Sequence, residues 1–185
     1  MKYSIIFASI FASLVSALPS ESHLEARAGA VAVQGCGDPS FATPFYRSYN
    51  PLIIDHFYTT SRSEDRNAIS NLGYNDEGIS SFIWPSAQPG TVPLYRLYSS
   101  SATDHFYTTS AAERDFAQRV GYASEGIAGY IYPNTNCGGV PFYRLYTASG
   151  TDHFYTTSAA ERDSAVRGGY TFEGVAGYVL PYSSS

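Results

Sequence analysis

The chain has 185 residues, 44% hydrophobic and 16% aromatic, with a formal net charge of −5. Lys2 is the one lysine, and ten arginines face sixteen acids, a balance that excludes a basic nucleic-acid footprint and sets the expectation of no nucleic-acid partner. Beyond the N-terminal run no apolar stretch approaches the roughly 18 residues of a membrane-spanning helix, so no membrane partner is expected.

In chain order, residues 1–17, MKYSIIFASIFASLVSA, carry one lysine, an apolar run and a small-residue end at Val15-Ser16-Ala17. That pattern reads as a secretory signal peptide and predicts a secreted, extracellular protein. Residues 18–35 are small and polar, a flexible segment with Arg27 as a candidate processing position. Residues 36–185 read as one domain, since about 150 residues bury enough surface for an ordinary core.

That domain is written three times. PFYR or PLYR is followed eleven residues later by DHFYTTS, giving repeats 44–92, 93–140 and 141–185. Pro44, Pro93 and Pro141 open the units, and Glu77-Gly78, Glu125-Gly126 and Glu173-Gly174 mark their later part. Units this short cannot each bury an apolar face, so the three must share one core.

Within the second repeat, PLYRLY (93–98) is short, aromatic and bounded by proline and a turn, which predicts a strand. HFYTT (105–109) predicts a second strand, with His105 and Tyr107 on one face and Phe106 on the other. Ser110 and Glu113 have capping-box spacing, repeated as Ser61/Glu64 and Ser158/Glu161, so a short helix starts there and stops before Gly121. Residues 126–132 predict a third strand. The expected fold is α+β, a pseudo-threefold closed ring of three strand-strand-helix-strand repeats with strands inside and helices at the rim. A β-trefoil-like barrel is the competing architecture.

Cys36 precedes the first repeat and Cys137 lies between the second and third. In a secreted chain they pair, and a disulfide needs Cα atoms within about 7 Å. A ring brings those positions together, whereas a straight stack separates them by two repeats.

The Asp-His dipeptides Asp55-His56, Asp104-His105 and Asp152-His153 are the most suggestive chemistry. Neighbours on a strand point to opposite faces, so Asp104 is badly placed to orient His105 as a catalytic aspartate would. No GxSxG, HExxH or paired-cysteine spacing occurs, and neither a metal nor another cofactor is expected. The candidate ligand-binding residues are Asp55, His56, Tyr58, Asp104, His105, Tyr107, Asp152, His153 and Tyr155, with Trp84 as a stacking platform. Arg47, Arg96 and Arg144 sit on apolar strands and need acceptors, so they are paired with Glu77, Glu125 and Glu173 as structural ion pairs. Ser48 in place of Leu97 and Leu145, and Trp84 in place of Tyr132 and Leu180, make the first repeat the most divergent.

The words YR, DHFYTTS, GY and EG, in this order from residue 44 to about 182, resemble a family of secreted bacterial and fungal repeat domains of unknown function with a His-Phe-Tyr-Thr hallmark. The resemblance implies a module that is appended to secreted hydrolases or stands alone, and it implies no activity. Repeated polar pockets with aromatic rings suit sugars, so the leading expectation is a non-catalytic carbohydrate-binding or cell-wall-associated module whose partner is a glycan or cell-wall polysaccharide. A protein-interaction or inhibitory scaffold is the alternative, and a cell-wall polymer hydrolase stands third.

Overall fold

A computed structural model of the chain describes residues 35–182. The expected signal peptide and nearly all of the segment 18–35 lie outside the described residues. Each repeat contributes a strand, a second strand, a helix and a third strand. The first repeat supplies β1 (Thr43–Asn50), β2 (Asp55–Thr59), α1 (Arg62–Asn71) and β3 (Asn75–Ile83). The second supplies β4 (Val92–Ser99), β5 (Asp104–Thr108), α2 (Ala111–Arg119) and β6 (Ala123–Ile131). The third supplies β7 (Val140–Thr147), β8 (Asp152–Thr156), α3 (Ala159–Arg167) and β9 (Thr171–Val179).

The first strand is central in every unit, giving three separate antiparallel sheets ordered β2-β1-β3, β5-β4-β6 and β8-β7-β9. With one helix beside each sheet, the arrangement is roughly threefold. No closed barrel forms among the described residues, which removes the β-trefoil-like alternative. The sheets meet instead through short bridges at the ends of their third strands, Trp84 with Tyr130, Tyr132 with Tyr178, and Phe82 with Leu180, so each unit touches both others.

The first two strands of the second repeat alternate, and both of their faces are covered. Leu94 and Leu97 point to opposite faces and both are buried, Leu94 in the core shared by the units and Leu97 beside Phe106 and Ala117, while the pairing of β4 with β6 slips between Leu94 and Tyr95 and again between Arg96 and Leu97. The second slip is a bulge at Glu125: Arg96 pairs with Gly126 and Leu97 with Ser124, leaving the glutamate without a partner. Gly126 takes φ 96°, a left-handed conformation that glycine adopts without strain. The third repeat has the same bulge at Glu173 beside Gly174. The Glu-Gly signature is therefore a bulge inside the third strand, which starts three residues earlier than the sequence suggests. The second strand keeps the expected two faces, with Tyr107 in the core shared by the units and Phe106 beside Leu97 and Ala117 under the helix, and all five residues of β5 are buried because both faces are covered.

One core serves the three units, and each gives it equivalent residues: Phe45, Leu94 and Phe142; Tyr58, Tyr107 and Tyr155; Ile83, Ile131 and Val179. The tyrosines form a cycle. The Tyr107 hydroxyl donates to the Tyr58 carbonyl and accepts from the Tyr58 N–H, both at 2.8 Å. Tyr155 does the same to Tyr107, and Tyr58 to Tyr155. Burial pushes all three hydroxyls well above the usual tyrosine pKa, so they remain protonated donors. The helices contribute only Asp65, Ala68 and Ala117 as buried residues, which places them at the periphery.

Cys36 and Cys137 are bonded, with Cα atoms 5.7 Å apart. The chain after Cys36 lies over Trp84, whose Nε1–H donates to the Asp38 carbonyl at 2.8 Å, while the Tyr132 hydroxyl donates to Gly37 at 3.1 Å. A Cβ at Gly37 would lie 2.9 Å from Gln88 Cβ and 3.1 Å from the Trp84 ring, so the close approach of this segment favours glycine.

Candidate functional site

The chemistry written in the repeats is assembled between them. At the seam joining the first and second repeats, the buried Asp55 carboxylate accepts from the His105 backbone N–H at 2.9 Å and from His105 Nδ1 at 2.7 Å. The Tyr74 hydroxyl donates to the same carboxylate. The seam from second to third repeat repeats this with Asp104, His153 and Tyr122, and the seam from third to first with Asp152, His56 and Tyr170. Each aspartate thus orients a histidine of the following repeat. The left-handed residue before each one, Ile54, Thr103 or Thr151 at φ between 54° and 56°, is unusual for a β-branched side chain and turns the chain directly ahead of this contact. Burial raises the Tyr74, Tyr122 and Tyr170 hydroxyls, and the adjacent aspartates raise them further, so these tyrosines stay donors.

The aspartates converge: one oxygen from each of Asp55, Asp104 and Asp152 lies within 4.8 Å of the others. All three carboxylates are engaged by the donors just named.

A guanidinium closes every seam. Arg96 donates from Nη1 and Nη2 to both oxygens of Glu64 in the preceding repeat, at 3.0 and 2.9 Å. Its Nε is 2.9 Å from Glu125 Oε2, the bulge glutamate of its own repeat, though the N–H is not aimed at that oxygen. Arg144 joins Glu113 and Glu173 in the same way, and Arg47 joins Glu161 and Glu77. Each guanidinium also lies over a phenylalanine of the preceding repeat, 5.2 to 5.4 Å from the ring centre of Phe57, Phe106 or Phe154. Burial opposes the charge on Arg96 and Arg144, and the hydrogen-bonded carboxylates with neighbouring groups more than offset it.

Glu64, Glu113 and Glu161 do more than the capping expected of them. Each offers its backbone N–H to the N-cap serine, at 3.2 to 3.3 Å, but its carboxylate turns outward to the arginine. The serine backbone N–H is taken instead by Thr59, Thr108 or Thr156, whose hydroxyl donates to the same glutamate. The Arg144 hydrogen bonds hold Glu113 below the ordinary carboxylate range against the opposing effect of burial, and Thr108 adds to them.

Three clefts open at these seams. In each, the free edge of the histidine faces the bulge glutamate: His105 Nε2 is 3.8 Å from Glu125 Oε2, and the pairs His153–Glu173 and His56–Glu77 stand at the same separation. That separation is too long for a direct hydrogen bond. Tyr98, Tyr146 and Tyr49 lie against the histidine rings, with centroids 4.4 to 4.7 Å apart. The cavities measure about 190 Å³ at the first seam, 430 Å³ at the second and 240 Å³ at the third, where a further 190 Å³ opens beside Arg47.

The sequence-derived candidates separate accordingly. His56, His105 and His153 line the clefts. Tyr58, Tyr107, Tyr155 and Trp84 are fully buried with their polar atoms bonded to backbone, so none can contact a surface ligand. Asp55, Asp104 and Asp152 are also fully buried and act by holding the histidines. Arg47, Arg96 and Arg144 contact Glu77, Glu125 and Glu173 within a repeat, but their bidentate bonds run across the seams. The helix glutamates and the phenylalanines of DHFYT were absent from the expected site. Their signal was the threefold recurrence of Ser-x-x-Glu, which local capping explained too readily.

The sequence model of a family described as a domain of unknown function (DUF5648) matches residues 44–180. The chain belongs to that family. No curated relative and no solved structure matches it. The DUF5648 match runs from the first proline to the bridge residue Leu180, and so includes every residue of the three seams.

Proposed function

We propose that the chain is a secreted, non-catalytic carbohydrate-binding module whose sites are the three seam clefts. In this reading the repeats close head to tail into a ring, so each seam supplies one copy of the same polar frame. The observation that carries the reading is the 3.8 Å gap between histidine Nε2 and glutamate Oε2 at each seam. A sugar diol suits that pair, because one hydroxyl donates to the carboxylate while its neighbour donates to Nε2, the acceptor left on a neutral imidazole whose Nδ1–H goes to the aspartate. The histidine is fixed by its aspartate and the glutamate by its arginine, so little ordering is needed on binding. Three such sites, individually weak, add avidity on a polymer that presents repeating units. Secretion is supported by residues 1–17 and by the cysteine pair.

The experiment is retention of the mature chain on insoluble chitin, β-glucan and peptidoglycan, at low and high salt, with soluble oligosaccharide as competitor. Retention that resists salt and yields to the competitor is the expected result. Passage through every glycan unretained contradicts the proposal.

A further inference from the structure

We propose, resting on the glycan reading above, that the seam between the second and third repeats is the principal site and that its ligand is a neutral sugar bearing an acetamido group. The three clefts share a polar frame but differ in their helical walls. On α2 and at its C-cap, Ala112, Phe116 and Val120 recur every four residues along the cleft, with Ala117 packed beneath them. The positions equivalent to Phe116, counted from the N-cap serine, are Asn67 in the first helix and Ser164 in the third. Phe116 and Val120 are 56% and 58% exposed, an adjacent apolar pair left in water at the mouth of a cavity. The Arg119 guanidinium lies over the Phe116 ring, 5.6 Å from its centre. At about 430 Å³ this single cavity is inside the range of about 300 to 1,000 Å³ usual for small-molecule sites, whereas the first seam holds about 190 Å³ and the third divides its space between about 240 Å³ beside His56 and about 190 Å³ beside Arg47.

The floor decides the polar half of the ligand. Arg144 spends its guanidinium on Glu113 and Glu173, so two carboxylates face the cavity with one positive charge between them, already engaged. Such a floor accepts hydrogen bonds from hydroxyl and amide N–H groups and repels anions. An acetamido sugar presents both kinds of group: its hydroxyls and N–H meet Glu173 and the His153 edge, and its methyl and ring face meet Phe116 and Val120. A plain glucan lacks the methyl and the N–H.

The test titrates the isotope-labelled mature chain with three β-linked tetrasaccharides, of N-acetylglucosamine, glucose and glucosamine, following amide shifts and fitting Kd and stoichiometry. The N-acetylated tetramer is expected to fill this seam before the other two, at least tenfold tighter than the glucose tetramer, with the largest shifts at Phe116, Val120 and Glu173. Phe116→Asn should weaken it at least tenfold while leaving the unfolding midpoint unchanged, because the side chain is exposed. Asn67→Phe should strengthen binding at the first seam. A Phe116→Asn Kd within twofold of the parent, first shifts at another seam, or tighter binding of the glucosamine tetramer would each overturn this assignment while leaving glycan binding standing. Absence of binding by all three tetramers and by insoluble glycans removes both.

Discussion

His105 receives its carboxylate from Asp55, fifty residues earlier, and not from Asp104 beside it in the sequence. Asp104 serves His153 in the following repeat. The Asp-His dipeptide is thus split between two seams, and its halves meet only when adjacent repeats dock. Replacing Asp55 by alanine would strand three donors, the His105 N–H, the His105 imidazole and the Tyr74 hydroxyl. At about 1 to 3 kcal/mol for each unsatisfied buried group, the expected loss is about 3 kcal/mol or more. Asp55→Asn, which keeps an acceptor oxygen, should cost less. Urea unfolding checks this, and an alanine variant as stable as the parent would show the contact to be incidental.

The seam glutamates predict an acid-sensitive interface. Arg144 lowers the Glu113 pKa, so the glutamate's contribution to stability is fully present above the unfolded value near pH 4.3 and is lost as pH falls through the folded one. The glutamate side chain is 43% exposed, so solvent screens the pair and the effect is modest. Glu113→Gln should therefore be less stable than the parent at about pH 7, and that difference should shrink as the pH drops below about 4. A difference independent of pH would mean that the arginine does not favour the charged glutamate.

Gly129 is dictated by space. A Cβ there would lie 2.5 Å from Ile83 Cδ1 and 3.0 Å from the Trp84 carbonyl. Gly129→Ala should destabilise by about 1 to 3 kcal/mol through overpacking. Adding Ile83→Val should restore part of the loss, a coupling that a double-mutant cycle reads directly. Strict additivity would place the strain elsewhere.

The disulfide holds the segment that covers the chain's one tryptophan, Trp84. Cys36→Ser with Cys137→Ser frees a loop spanning a sequence separation of 101. In the chain-entropy account that costs up to roughly 4 to 5 kcal/mol. The same variant should shift Trp84 emission to the red under native conditions, as the chain at Gly37 and Asp38 lifts away. Unchanged emission and an unchanged midpoint would show that the segment docks without its covalent tie.

The repeat, its four elements and the pairing of Cys36 with Cys137 were legible in the sequence because each is a local signal written three times or a consequence of such signals. Strand composition, the Ser-x-x-Glu cap and the stopping glycine act within a few residues. The bulge at Glu125 was less legible: the Glu-Gly pair was visible, but only strand register shows that the glutamate drops out of the ladder to meet Arg96 and His105. Partners across the seams were not legible at all. Assigning Asp55 to His105, or Glu64 to Arg96, requires knowing how one repeat docks on the next, and nothing in the spacing of a single unit encodes it. Trp84 misled for a related reason, since an isolated aromatic in a divergent repeat looks like a binding platform until the chain from Cys36 is seen to cover it.

The measurement that bears most directly on the account is an amide-shift titration of the chain with soluble oligosaccharides released from chitin, β-glucan and peptidoglycan. Saturable shifts confined to cleft residues such as His105, Glu125, His153 and Glu173, and abolished seam by seam in Glu125→Gln and Glu173→Gln, are the predicted result. Shifts gathered on the linkers around residues 86–91 and 134–139 with the clefts silent, or no saturable shift with any of these sugars, would contradict it.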